Sequence, residues 1–515
     1  MPDRLQKLSA FEKIGYSLGD AAANFVWVTL VTFQLQFYTD TLAITAAAAA
    51  WVLLLSRFWD AFFDPLMGAI ADRTQTRWGK FRPWILWTTL PWAVMMVVAY
   101  TVPGFGGTGK IIFACVTNIL LMTVYSANNT PYSALTGVMT ADVNDRTSLS
   151  SYRFVAAILA GLVVGGFTLP LVAKFGQGNS ARGWQITMGL WAMVCIVFFL
   201  ITFLTVRERI LPDPRQRSSV KQDMGDLLKN STWIAMFLFT LVHLTSHVMR
   251  SGAMPYYFKY DVNRDSLFAF LKSWGLTSFA AGGSDGGIWH SLLNKFGLIV
   301  DPQMTNLPDV GYSLWSMSSQ AFTVIGIICA TWLAIRFGKK AVVIAGFTGA
   351  AVFIALFFFV RGDAIWTIFL CDWARALCYA PTIPLVWAMF ADVADYAEWT
   401  TGRRATGMIY ASVVFGLKAG VGLGVFLQGQ LLSLVGYAPL NSSQLLAGAQ
   451  QSTRVQWGIR MIVSVIPAGL FLVCAVCAIG YKINKKLNIQ IQDELAERRK
   501  QYVLIASGMS PMTAE

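Results

Sequence analysis

Residues 56–73 read SRFWDAFFDPLMGAIADR, and the reading of this stretch decides the fold. It lies inside an apolar run, residues 46–71, long enough to cross a bilayer. Near the middle of that run stand Asp60 and Asp64. An ionised carboxylate at such a depth costs about 2.5–3.5 kcal/mol even on the mild insertion scale. The four-residue spacing puts both acids on one helical face, a turn apart. Pro65 follows at once and cannot donate to the carbonyl of Ala61, which leaves that oxygen free beside the acids. Two carboxylates and a spare carbonyl make a proton or cation site, with Na⁺ the metal that Asp60 and Asp64 could hold. The alternative is a pair of acids neutralised by Lys or Arg for assembly alone.

Outward from this stretch, the whole chain has the same character. It has 515 residues, of which 56% are hydrophobic and only 13% charged. A soluble domain is about 25% charged, so the composition describes a polytopic membrane protein. The net charge of +13 sits in short loops between apolar segments. That distribution is a topology signal and gives no reason to expect a nucleic-acid partner. Seven cysteines are scattered through apolar stretches, and the Cys474/Cys477 pair falls inside a predicted span, where a redox or zinc role is not expected. No cleavable leader is expected at the N-terminus.

Twelve apolar segments can be placed, at about 14–38, 46–71, 83–103, 110–137, 150–174, 184–206, 231–257, 315–336, 340–360, 364–391, 405–436 and 459–481. Arg73, Arg77, Lys80, Arg82, Arg146, Arg207, Lys339, Arg403 and Lys485 all fall on one side of them. This puts both termini in the cytoplasm. A basic linker, residues 207–230, separates residues 1–206 from 231–482, and the two parts repeat. Pro131, Met139, Ala141-Asp142-Val143 and Asp145 recur at a constant offset as Pro381, Met389, Ala391-Asp392-Val393 and Asp395. The expected fold is therefore all-α, with twelve transmembrane helices in two pseudo-symmetric six-helix bundles, the major facilitator architecture. Residues 261–312 are an insertion on the outer side, read as two short amphipathic helices, about 267–274 and 288–296, joined by a glycine-rich turn. The tail, 483–515, is basic and amphipathic over 484–502 and is expected on the inner membrane surface.

With the Asp-x-x-x-Asp-Pro helix, TRWGKFRPWIL (residues 76–86) and DVADYAEWTTGRRATG (392–407) in view, the chain resembles the glycoside–pentoside–hexuronide:cation symporters. The resemblance runs from about Phe11 to Lys482 and implies the following roles. Asp60 and Asp64 match the cation-site carboxylates, and Ser126 stands where a hydroxyl lies near the cation. Asp20 matches a first-helix acid that bonds sugar hydroxyls. Arg153 matches a fifth-helix arginine at the sugar site, and Lys418 an eleventh-helix lysine set against the carboxylates. Two positions depart from the pattern. Phe63 replaces an Asn before the second aspartate, which removes an oxygen that a hard cation needs and a proton does not. Asn129 replaces a sugar-gripping acid, so it keeps a hydrogen-bonding edge and discards a charge.

Other features are read from the residues themselves. Trp27, Tyr132 and Trp387 could stack on a pyranose or merely pack. Asp372 and Arg375 could pair at i, i+3 as a structural pair or a sugar contact. His243 and His247, a turn apart, fit core packing with some substrate contact better than zinc. Asp72, Arg73, Arg82, Asp142, Asp145, Asp392 and Asp395, at matching span ends, suit ion pairs of a cytoplasmic gate. The stretch GFGGTGK (104–110) lacks the hydroxyl and the strand–helix setting of a phosphate-binding loop. The expected protein is a sugar:cation symporter of the bacterial inner membrane, monomeric among membrane lipids, working by alternating access. It is not an enzyme, needs no cofactor, and couples to H⁺ before Na⁺. A lipid or lysolipid transporter and a transport-inactive sensor are the alternatives.

Overall fold

The computed structural model describes residues 8–140, 143–209, 230–278, 288–401, 406–440, 444 and 449–506. The first part of the chain forms α1 (Ala10–Thr32), α2 (Ala46–Arg73), α3 (Arg82–Ala99), α4 (Gly107–Met139), α5 (Val143–Gly176) and α6 (Ser180–Thr205). The second part opens with α7 (Ser231–Tyr260), then α8 (Arg264–Ser273) and α9 (Ile288–Lys295) of the insertion. It continues with α10 (Leu307–Ile328), α11 (Ala330–Phe337), α12 (Lys339–Leu356), α13 (Ile365–Tyr379) and α14 (Thr382–Thr401). α15 (Thr406–Leu434), α16 (Thr453–Val463), α17 (Val465–Gly480) and α18 (Lys485–Ala506) complete it.

Among the described residues nine helices are long and apolar enough to cross a membrane, and eleven if each of two bent pairs is one span. The bent pairs are α1 with residues 34–41, at 52°, and α10 with α11, at 43°. α3, 18 residues with Arg82 at its start and Pro91 inside, occupies the place of the remaining expected span. The outer face of α2 shows what solvates the bundle: Phe58 and Phe62 are 65% and 70% exposed. A stripe of that kind is stable against lipid and not against water.

Local polar groups start these helices. A capping box joins Ser9 and Glu12 at α1, and Thr45 caps α2 by accepting the Ala48 N–H at 3.3 Å. The repeated loop motif has a physical cause. Gly79 and Gly338 occupy matching positions, with φ of +111° and +83°, a region costly for any side chain with a Cβ. At Gly79 a Cβ would also strike the Glu208 carboxyl group. That carboxylate accepts from the N–H groups of Lys80, Phe81 and Arg82 at 2.7–2.9 Å, closing the N-terminus of α3.

The two bundles meet along two seams, α2 with α15 and α5 with α10. At the end opposite the basic loops they are also tied by polar contacts. A π-helical turn, Phe37–Thr41, presents Asp40 to Lys259 at 2.6 Å and to the Tyr437 hydroxyl at 2.6 Å. The hydroxyls of Thr39 and Tyr256 lie 2.9 Å apart.

The insertion lies over that closed end. Phe270 of α8 packs on Trp366 and Phe369 at 5.1 and 5.2 Å, in the second bundle. Beyond α9, Phe296 packs on Phe167 of α5 at 5.1 Å, and Lys174 donates to the Asn294 carbonyl. The insertion thus touches both halves, while the glycine-rich turn lies outside the described residues. It ends earlier than expected. α10 begins at Leu307 with Pro308 in its first turn, where a missing N–H costs nothing, so Tyr312 already belongs to a span.

The tail helix packs part of its apolar face on the second bundle. Ile491 and Leu495 of α18 are buried, and Trp399 of α14 donates to Glu494 at 2.6 Å. Ile489 of the same helix is exposed.

Candidate functional site

Asp60 and Asp64 lie on one face of α2, which runs without interruption through Pro65. Asp60 is fully buried and accepts from the Ser126 hydroxyl of α4 at 2.5 Å. Asp64 is partly open and accepts from Thr130, one turn further along α4, at 3.3 Å. Lys418 of α15 reaches across the seam between the halves and pairs with both acids, at 2.9 Å from Asp60 and closer to Asp64. Arg57 lies 3.9 Å from Asp60 and covers the ring of Trp27, on α1, at 5.1 Å. The cluster therefore holds two acids and two bases, which makes burial bearable.

Phe63 contributes no oxygen: its ring stacks on Trp59 at 6.1 Å. The groups beside the acids are thus two hydroxyls, an ammonium and a guanidinium. Among the described residues no group of three or more His, Cys, Asp or Glu is placed to hold a metal ion. Arg57 was absent from the sequence-based site. Its position three residues before Asp60, in the same apolar run, was the available signal.

Asp20 and Arg153 pair at 3.0 Å between α1 and α5. Asn129 is half-buried on α4, between Asn128, which donates to Thr88 at 2.8 Å, and Thr130 at the acid pair. Tyr132 corrects an expectation. It is fully buried, stacked on Tyr16 at 4.6 Å, with Arg153 5.3 Å from its ring centre. No free ring face is left for a sugar. Gly19 makes this packing feasible, since a Cβ there would meet the Tyr132 ring at 2.5 Å.

A cavity of about 740 Å³ lies between the halves. Trp27 and Asn24 line it from the first bundle, and His247, Arg250, Trp315 and Arg375 from the second. Trp387 is not part of its wall and packs edge-on against Phe390. Asp372 is fully buried behind the wall, paired with Arg375 at 2.7 Å as its spacing suggested, and also with Arg250 of α7 at 2.9 Å. Arg250 was not foreseen, because a partner on a distant helix leaves no periodicity. His243 bonds to the Tyr379 hydroxyl at 2.8 Å and His247 stacks on the same ring, in keeping with packing.

Three of the acids at the basic end pair with a lysine of their own half. Asp145 pairs with Lys13 at 2.8 Å, Asp72 with Lys80 at 3.2 Å, and Asp392 with Lys339 at 2.7 Å. Arg82 donates to the Phe203 carbonyl. Arg73 ends α2 and Asp395 lies in α14. Asp142 lies outside the described residues.

Two helical bundles enclosing a cavity, with acids and bases paired at mid-span, define a membrane transporter of the major facilitator fold. Solved structures agree on the fold. That of a D-xylose-proton symporter gives a TM-score of 0.56 at 13% identity, covering 91% of this chain and 96% of that one. That of the nucleoside transporter NupG gives 0.56 at 15% identity, covering 92% and 100%. The model of the MFS/sugar transport protein family matches residues 15–296 and 308–485, and the chain belongs to that family. Its relatives include the inner membrane symporter YicJ of Escherichia coli (strain K12), 31% identical over 496 residues and 96% of each chain. The isoprimeverose transporter of Lactiplantibacillus pentosus is 28% identical over 492 residues, 92% of this chain and 89% of that one. A glucuronide carrier protein homolog of E. coli (strain K12) is 27% identical over 499 residues, covering 96% and 97%.

Proposed function

We propose that the protein imports a sugar or glycoside together with a cation across the bacterial inner membrane, by alternating access. The observation that carries this reading is Lys418, whose ammonium group joins both acids of α2 from the other half of the molecule. With no cation bound, Lys418 and Arg57 balance the acids at the seam between α2 and α15, so that the empty carrier can reorient. A cation arriving at Asp60 and Asp64 competes with the lysine and loosens that seam. Through Arg57 and Trp27 the change reaches the cavity wall, where a sugar bridges the two bundles. From the first half it meets Asn24 and Trp27, while Asp20, Asn129 and Arg153, the residues the resemblance assigns to the sugar, are not in this wall. Coupling follows if only the empty and doubly loaded states reorient.

The basic end is assigned to the cytoplasm, with both termini there. On that assignment the ties at Asp40 close the outside. A proton is the coupling ion favoured by the acids' surroundings, since Phe63 turns to Trp59 and supplies no ligand for Na⁺. In proteoliposomes at clamped potential, a pH gradient should drive sugar accumulation. Accumulation with a Na⁺ gradient and none with a pH gradient would assign the other ion. The long apolar cavity open to lipid that a lysolipid carrier requires fits poorly with the arginines and histidine of this wall.

The insertion is read as an outer lid. An ordinary connection between spans takes a few residues, and this one bridges both halves. Replacing residues 264–305 by a short Gly/Ser linker should widen the range of glycosides that compete for uptake. It should also raise labelling of the cavity from outside. Normal expression with unchanged competition and labelling would leave the lid without a role.

A further inference from the structure

The charges around the cavity do not balance. Among the described residues, the charged groups in its wall are two arginines, Arg250 and Arg375, and no carboxylate. Their shared partner Asp372 is fully buried behind them, so two positive charges meet one negative charge. The other buried charges of this region are balanced among themselves, Asp20 with Arg153, and Asp60 and Asp64 with Arg57 and Lys418.

The arginines are held in place. Arg375 donates through Nε to Asp372 at 2.7 Å and through one terminal nitrogen to Ser319 at 3.0 Å. Arg250 donates through Nε to the carbonyl of Val463, at the break between α16 and α17, at 3.1 Å. Both side chains are more than nine-tenths buried. A guanidinium has five N–H groups, so each has donors beyond these bonds. Excess positive charge at membrane depth needs a counter-charge, and a substrate entering this cavity can supply it. Around the arginines the wall offers Asn24, Ser316 and Gln320 for hydroxyls, with Trp27 and Trp315 as flat apolar faces.

We infer that Arg250 and Arg375 form an anion subsite, and that the preferred substrate is a glycoside carrying one acidic group, a carboxylate or sulfonate. The inference rests on the sugar-symport reading above and narrows its substrate class. A planar, bidentate guanidinium pair matches the oxygens of such a group. Asp372 is a positioning residue that holds the two guanidinium groups apart and aimed.

The test uses matched probes on the full-length protein in detergent or nanodiscs: 4-nitrophenyl β-D-glucoside against the glucuronide, and galactose against galacturonate. In each pair the acid should bind more tightly by about tenfold or more, as expected for hydrogen bonds to charged groups. R375Q leaves Arg250 and Asp372 balanced and should bring acid and neutral probes within about threefold of each other. The double variant D372N/R375Q restores one excess positive charge and should restore the preference. A purely structural role for the trio predicts no such recovery. If R375Q fails to fold, the wild-type comparison and the double variant decide. Wild-type binding of the neutral probes as tightly as the acids overturns the inference and leaves sugar symport standing. Failure of every probe to bind, with no uptake, overturns both. An acid preference that survives R375Q assigns the anion site elsewhere and overturns the role of these arginines.

Discussion

Replacing Asp64 by Asn should leave a protein that exchanges sugar across the membrane and cannot accumulate it. Asn resembles the neutral acid in shape and bonding, so the seam between α2 and α15 would be fixed in the electrostatic state of the cation-loaded protein. Arg57, Asp60 and Lys418 would then carry one excess positive charge whether or not a cation is present. Counterflow should persist, while the accumulation ratio under an ion gradient falls to about one, because transport no longer depends on the ion. Asp60→Asn should be more damaging. Asp60 is fully buried and faces Lys418 at 2.9 Å, Arg57 at 3.9 Å and Ser126 at 2.5 Å. Removing one partner of a buried ionic network costs about 3–5 kcal/mol, so exchange and thermal stability should both drop. Paired uptake and counterflow assays on the two variants check this, and full accumulation by the Asp64→Asn protein would exclude these acids from coupling.

What could be read from the sequence follows from which interactions leave a local trace. The helices announce themselves because a span must be apolar for its whole length. The facing of Asp60 and Asp64, and the pairing of Asp372 with Arg375, follow from helical period alone. Lys418 could be set against the acids only through resemblance, since its partners lie in the other half of the chain. Arg250 had neither aid, and its carbonyl partner at Val463 depends on a helix break that composition does not mark. Tyr132 stays open in the sequence for a different reason. An aromatic ring in a polar segment can face a ligand or fill a neighbour's missing Cβ, and Gly19 on α1 settles it for packing. The tail helix shows the same ambiguity, since an amphipathic face fits lipid and protein equally until its partner is known.

Lys418→Ala should uncouple transport in the opposite sense, by making the cation site too attractive. In the intact protein the ammonium lies within bonding distance of both carboxylates. Its side chain is almost fully buried, in the seam where the halves must slide. Without it, two acids face Arg57 alone and the cluster carries one excess negative charge. A unit charge at ~4 Å is worth about 4 kcal/mol in surroundings of effective dielectric 20. A tenfold change in affinity needs only about 1.4 kcal/mol. The cation concentration that half-saturates sugar binding should therefore fall by about tenfold or more. Release of the cation slows in proportion, and the empty carrier no longer has a lysine to neutralise the acids for its return. Net uptake should collapse, while exchange, which never requires the empty carrier to reorient, persists. Lys418→Arg should retain part of the coupling, because it keeps the charge and changes only its shape. Titration of sugar binding against the cation, with uptake and exchange measured on the same preparations, tests each step. Wild-type accumulation and an unchanged cation dependence in Lys418→Ala would remove the lysine from the coupling mechanism.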